Sequence, residues 1–153
     1  MNLSGWGGYP RFNCRISYPK NQKELTSLVK SGSSIANGNQ RSYGDSALSL
    51  SNTISMKYFN HMVKFNENNG QLVVESGVLL SDVIASFISS GWFPPVTPGT
   101  KFVTIGGMIA ADVHGKNHHK HGSFRRFVDW IDLMDSNGEI LRCSSQTNSE
   151  LFN

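Results

Sequence analysis

Four of the five histidines, His114, His118, His119 and His121, fall within eight residues of a 153-residue chain. Imidazole can ligate a metal or carry a proton near neutral pH. The metal reading is the weaker one. No H-E-x-x-H, no partnering cysteine and no carboxylate beyond Asp112 accompanies the cluster. His118, His119 and His121 read as a solvated His/Lys loop. His114 differs, because it closes the apolar run Met108, Ile109, Ala110, Ala111, Val113 and is followed by Gly115, Lys116 and Asn117. Those residues form a dense set of donors beside a flexible glycine, which suits an anion.

Two glycine-bearing loops supply the rest of the chemistry. Upstream of His114, Pro98-Gly99 makes a tight turn and Thr104 stands as a helix N-cap before Ile105-Gly106-Gly107. A glycine pair at a helix start is expected to offer unpaired N–H groups and a positive dipole end to a phosphate. The earlier loop runs Ile35-Ala-Asn-Gly-Asn-Gln-Arg-Ser-Tyr-Gly-Asp-Ser46 and leaves a short apolar strand. Successive exposed N–H groups in such a loop form an anion-binding nest. The loops lie about 60 residues apart, so one extended phosphate-bearing ligand between two lobes is expected. Neither is a Walker A sequence or G-x-G-x-x-G.

Arg41-Ser42-Tyr43-Gly44-Asp45-Ser46, Pro98-Gly99-Thr100, Thr104-Ile105-Gly106-Gly107 and His114-Gly115-Lys116-Asn117-His118-His119, in this order, resemble the FAD-binding (PCMH-type) domain of the vanillyl-alcohol-oxidase-type flavoproteins. The likeness covers nearly the whole chain; each motif alone is unspecific and the ordered set is not. It implies an α/β (α+β) fold of two lobes. Lobe one, about 1–60, carries a small β-α-β unit, and lobe two, about 61–153, a mixed or antiparallel sheet with helices. It also implies FAD as cofactor, lined by Ala36, Asn37, Gly38, Asn39, Gln40, Arg41, Ser42, Tyr43, Gly44, Asp45, Ser46, Gly99, Thr104, Ile105, Gly106, Gly107, His114, Gly115, Lys116 and Asn117. His114, Lys116 and Tyr43 are the implied catalytic residues. Gln40 stands where the family usually has glycine. Asp45 stands where covalent relatives attach flavin through histidine, so non-covalent FAD is expected. The implied reaction is oxidation of a sugar alcohol, most closely the ribose 2′-hydroxyl of a polyprenyl-phosphate-linked sugar in arabinan precursor synthesis. An aldonolactone oxidase is the neighbouring reading, and a non-catalytic phosphate or nucleic-acid binding module the distant one. A partner reductase is compatible with the chemistry. Family members continue beyond Asn153 into the rest of the flavin domain and a substrate domain. The chain alone is therefore expected to be C-terminally incomplete, inactive, weak in FAD binding and prone to self-association through apolar 104–113.

Composition sets the outer bounds. Hydrophobic residues make up 38% and charged residues 16%, which fits a folded domain long enough for a core. The net charge of +3 suits an anionic ligand and is too mild to argue for nucleic acid. No apolar run reaches the length of a membrane span, and Met1-Asn-Leu-Ser-Gly-Trp shows no signal-peptide pattern. A cytoplasmic or peripherally membrane-associated protein is expected. Cys14 and Cys143 read as unpaired thiols.

Local signals place the elements. Gly5-Trp6-Gly7-Gly8-Tyr9-Pro10 reads as an arm packing on the domain. Asn21-x-x-Glu24 is a capping-box signature opening a helix over 21–31, between strands at 15–17 and 33–36. Thr53–Met56 alternates as a strand, and residues 62–65 and 71–75 flank a hairpin turn. Ser81 is expected to cap a helix that Gly91 stops. Residues 127–134 and 139–143 flank Ser136-Asn137-Gly138, a second hairpin, and a last helix begins near Thr147–Glu150.

Overall fold

The computed structural model describes residues 1–152 and begins with a short antiparallel hairpin, β1 (Asn2–Ser4) with β2 (Arg11–Asn13). Next come β3 (Ile16–Ser17), α1 (Gln22–Lys30), β4 (Ile35–Asn37) and β5 (Thr53–Ser55). α1 starts at its sequence signal: Asn21 Oδ1 accepts the Glu24 N–H at 2.9 Å, and the Glu24 carboxylate accepts the Lys20 N–H at 2.8 Å. The reciprocal arm of the capping box thus reaches one residue further out than expected.

β3, α1 and β4 form the expected β-α-β unit, but its strands are not neighbours. β5 enters between them, and all three strands run parallel. A strand paired on both sides must find partners for every polar group. Thr53, fully buried, exchanges hydroxyl bonds with Ser49, and buried Asn52 accepts the Ser17 hydroxyl at 2.8 Å.

The rest is hairpins and short helices: β6 (Met62–Asn66) with β7 (Gln71–Val74), α2 (Leu80–Phe87) and α3 (Ile105–Ala110). α4 (His118–His121), β8 (Trp130–Met134) with β9 (Ile140–Ser144), and α5 (Ser149–Phe152) complete it. Two expectations shift. Ser81 does not cap α2; the helix begins at Leu80, and the N–H groups of Leu80 and Ser81 donate to the carbonyls of Val103 and Lys101. The segment entering α3 does the work a side-chain cap would do. The strand after the histidines starts at Trp130 rather than Phe127, because residues 124–127 coil into a 3-10 turn. Gly91 ends the helical region at φ 84°, as its place after the apolar face predicts.

The core is small. Among the described residues Val78, Leu80, Val96, Met108, Pro19, Cys14 and Cys143 are its fully buried apolar members, and both cysteines are free thiols. Beside it lies a cavity of about 2440 Å³, lined by α1, the two later hairpins, α2 and α3. At one end of it the β8–β9 turn abuts α1, since a Cβ on Gly138 would stand 2.7 Å from Thr26 Cγ2. In α3 only Met108 is buried; Ile105, Ile109 and Ala110 line the cavity. Among the described residues no helix is long and apolar enough to cross a membrane.

Candidate functional site

β4 delivers the first loop. Asn37, at its end, is buried and donates from Nδ2 to Ala47 O at 2.8 Å, which ties the loop shut at its base. Within it, Gln40 has φ 53° and Gly44 φ 61°. A left-handed residue between right-handed or extended ones turns successive N–H groups to one side. Gln40 therefore takes the conformation that glycine would take, at some strain for a residue with a side chain. Among the described residues, no hydrogen bond has the N–H of Gly38, Asn39, Gln40, Arg41, Ser42, Tyr43 or Gly44 as donor. Arg41 commits one terminal nitrogen to Asn39 O at 3.1 Å, while its Nε is buried without a partner. A buried donor without an acceptor is rare, because it has lost water and gained nothing.

The second loop meets the first. Asn39 Nδ2 donates to Phe102 O at 2.8 Å. Gly38 lies so close to Thr104 that a Cβ would stand 2.3 Å from Thr104 Oγ1. Thr104 caps α3 as its position predicts, accepting the Gly107 N–H at 3.2 Å. One expectation fails here. The N–H groups at the start of α3 are not free: Ile105 donates to Val78 O, Gly106 to Ser76 O, Gly107 to Thr104 Oγ1 and Met108 to Thr104 O. A six-residue helix whose first donors are all taken is no phosphate site. Gly106 serves contact instead, since a Cβ there would lie 2.7 Å from Ser76 Cβ and 2.9 Å from Ser76 O. The unsatisfied donors lie in the first loop.

The third part is a clasp. Asp112, at φ 38°, turns the chain out of α3. Its carboxylate accepts the Ser123 hydroxyl at 2.8 Å and the Arg125 N–H at 3.0 Å, while Phe124 N donates to Val113 O and His114 bridges Ser123. Partial burial raises the Asp112 pKa, but the Arg125 N–H, the Ser123 hydroxyl and the Arg125 and His114 charges outweigh it and hold the carboxyl below its ordinary value. Within the clasp Gly115 is buried against residue 97, where a Cβ would lie 2.7 Å from Thr97 O. Asn117 Nδ2 donates to Pro95 O at 3.0 Å, and the His114 and His118 rings stand 5.4 Å apart. His114 and Lys116 are exposed.

The structure thus joins Gly38 and Asn39 to Phe102 and Thr104, and holds His114 to Lys116 by the clasp. No hydrogen bond or ring contact among the described residues links Tyr43, which is 73% exposed, to His114 or Lys116. Gly99 borders open space. Two contributors escaped the sequence reading. Asp112 was weighed only as a metal ligand; its place eleven residues before Ser123 carried no signal. Trp6 was read as part of an arm.

The family of FAD binding domains matches residues 16–144. The chain is 38% identical over 120 residues to the decaprenylphosphoryl-β-D-ribose oxidase of Mycolicibacterium smegmatis, covering 77% of this chain and 26% of that protein. It is 32% identical over 99 residues to the L-gulonolactone oxidase of Bos taurus, covering 65% of this chain and 22% of that protein. To the D-lactate dehydrogenase of Anaerostipes hadrus it is 32% identical over 89 residues, 58% of this chain and 19% of that protein. The chain spans about a quarter or less of the length of these relatives.

Proposed function

The chain belongs to the FAD binding domain family, and from that premise we propose that it is the cofactor-binding part of an oxidoreductase acting on a sugar alcohol, the ribose 2′-hydroxyl of a polyprenylphosphoryl-ribose. The observation that carries this reading is the run of unsatisfied N–H groups from Gly38 to Gly44, with the orphaned Arg41 Nε beside it. A diphosphate brings the several acceptor oxygens that such donors need, and charge-assisted bonds to it are strong. The residues therefore fit FAD, held by 36–46 with Thr104 and Gly107 at the meeting of the two loops, between a lobe of about 1–60 and one from 61 onward. When bound, FAD supplies the acceptor for a hydride from the carbinol carbon. The chain's own part is to bind, orient and move a proton. Exposed Lys116 offers a cation to a phosphate-bearing substrate, the His114 imidazole takes the hydroxyl proton, and Tyr43 borders the substrate side. The substrate class rests on the similarity to the mycolicibacterial oxidase.

The similarity to L-gulonolactone oxidase supports a second reading, an aldonolactone as substrate. Titration of the protein with FAD is expected to perturb the flavin absorbance bands saturably; an unchanged spectrum would refute the cofactor assignment. Anaerobic addition of polyprenylphosphoryl-ribose to the FAD complex of the enzyme should then bleach those bands. Bleaching by an aldonolactone alone would select the second reading.

The flavin is held without a covalent bond in this proposal. Asp45 is exposed, and a carboxylate does not form the histidyl link to a flavin ring. Acid precipitation of the complex should leave all yellow colour in the supernatant. Colour in the washed pellet would mean attachment through another side chain.

A further inference from the structure

The turn of the N-terminal hairpin, residues 5–10, lies on the first loop. The Trp6 N–H donates to Ser42 O at 2.7 Å. Gly5 is pressed so close that a Cβ would stand 2.5 Å from Gly44 O and 2.6 Å from Ser42 O. A Cβ on Gly7 would lie 3.7 Å from Tyr43 Cδ1. The Trp6 ring covers the Arg41 guanidinium, with Cζ 4.4 Å from the ring centroid. A planar cation stacked on an aromatic face spends its face and keeps its edge, where all five N–H bonds lie. One edge nitrogen holds Asn39 O inside the loop, and the buried Nε has no acceptor. A long side chain otherwise loses rotamer freedom when a ligand fixes it; here the indole fixes it beforehand.

We propose that Trp6 is a positioning residue: the N-terminal hairpin lays its indole over Arg41 and sets the guanidinium edge beside the N–H groups of residues 38–44, making the hairpin a working part of the cofactor site. The proposal rests on the reading of that loop as the seat of the FAD diphosphate, and the experiment separates the two.

Nitrogen-15 NMR of the full chain follows the Arg41 Nε–H and the amides of 38–44. In the absence of any ligand, Trp6→Ala is expected to move the Arg41 Nε–H signal to the position of a free arginine, and Trp6→Phe to leave it near its original place. An Arg41 signal indifferent to Trp6→Ala would overturn the positioning role, whatever FAD does. Added FAD should shift the amides of 38–44 in the unaltered chain; their indifference would overturn the diphosphate reading and leave the ring–guanidinium result standing. Affinity closes the argument. Trp6→Ala should weaken FAD binding roughly fivefold, the scale of a cation–π contact on a half-exposed ring, with Trp6→Phe within about twofold of the parent. Arg41→Gln should weaken it as much, and adding Trp6→Ala to Arg41→Gln should cost nothing more. A further loss in the double variant would mean that Trp6 acts on the fold generally, and would sink the proposal.

Discussion

Gly38→Ala is expected to weaken FAD binding by about a hundredfold, the conversion of the upper end of an overpacking cost of about 1–3 kcal/mol. The backbone at 38 does not forbid alanine; the neighbour does. The added Cβ would stand 2.3 Å from Thr104 Oγ1, 3.2 Å from Thr104 Cγ2 and 3.3 Å from Thr104 Cβ. One of two things gives way. Either Thr104 rotates and releases the Gly107 N–H that it caps, or the 38–44 loop swings off the second loop and breaks the Asn39–Phe102 bond. The first outcome costs the fold about 1 kcal/mol of cap stability, and the second costs the site its shape. Thr104→Ala in the same chain removes the oxygen and the methyl that collide. The double variant should therefore recover most of the affinity while keeping the small loss of the cap. FAD titration and thermal melting of the single and double variants check this. A Gly38→Ala chain that binds FAD as the parent does would mean that the two loops need not touch for the site to form.

The second large effect concerns Asp112. Replacement by alanine removes the acceptor of the Ser123 hydroxyl and of the Arg125 N–H, which together hold the His114–Asn117 segment closed. Hydrogen bonds to an ionised group are worth about 1.5–3 kcal/mol each, and both are partly solvated here, so a loss of roughly 2–3 kcal/mol is expected. His114 and Lys116 would lose their fixed place, and under the proposed function turnover of the enzyme should fall more steeply than FAD affinity. The contribution also has a pH signature. The folded-state pKa of Asp112 is lowered, so its stabilisation is fully present above the unfolded pKa, about pH 4, and is lost as pH falls through the folded value. Asp112→Asn should thus differ most from the parent near neutrality, with the difference in stability shrinking below about pH 4. Denaturant melts at several pH values measure it. A difference independent of pH would show that the ionised carboxylate is not what holds the clasp.

What could be read from the sequence was what local chemistry determines. Asn21 with Glu24, Thr104 and Gly91 each act through atoms within a few residues, and each helix end lies where its signal put it, with the Glu24 arm one residue further out. The Asp135–Glu139 turn is equally local: the Asp135 carboxylate accepts the N–H groups of Asn137 and Glu139, and Gly138 supplies φ 74°. The misreadings with the largest consequences involve distant partners. Ser81 lost its capping role because residues 101 and 103 arrive with carbonyls. The glycines of α3 looked like an anion site because nothing in 104–108 reveals that Ser76 and Val78 claim those donors. β5 has only three residues, and its central place depends on two partners, one of them more than thirty residues away. Gln40 looked like a departure from glycine, yet the loop holds it at φ 53° all the same. The residues proposed for the site stood out in the sequence as types in an order. Their contacts did not, since Arg41 under Trp6 joins segments that share no periodicity.

The central place of β5 has a consequence for synthesis. A chain emerges N-terminus first, and its segments can pair only with what has already appeared. β3 and β4 run parallel but never touch, because β5 occupies the gap between them. α1 therefore spans an empty slot until Thr53, Ile54 and Ser55 arrive, and Met56 N then closes on Asn37 O at the mouth of the first loop. The loop proposed to hold the cofactor is made before the strand that anchors it. On the ribosome, then, if this loop seats the flavin as proposed, capture waits at least until residue 56 has cleared the exit, and the loop's open donors face only water until it does.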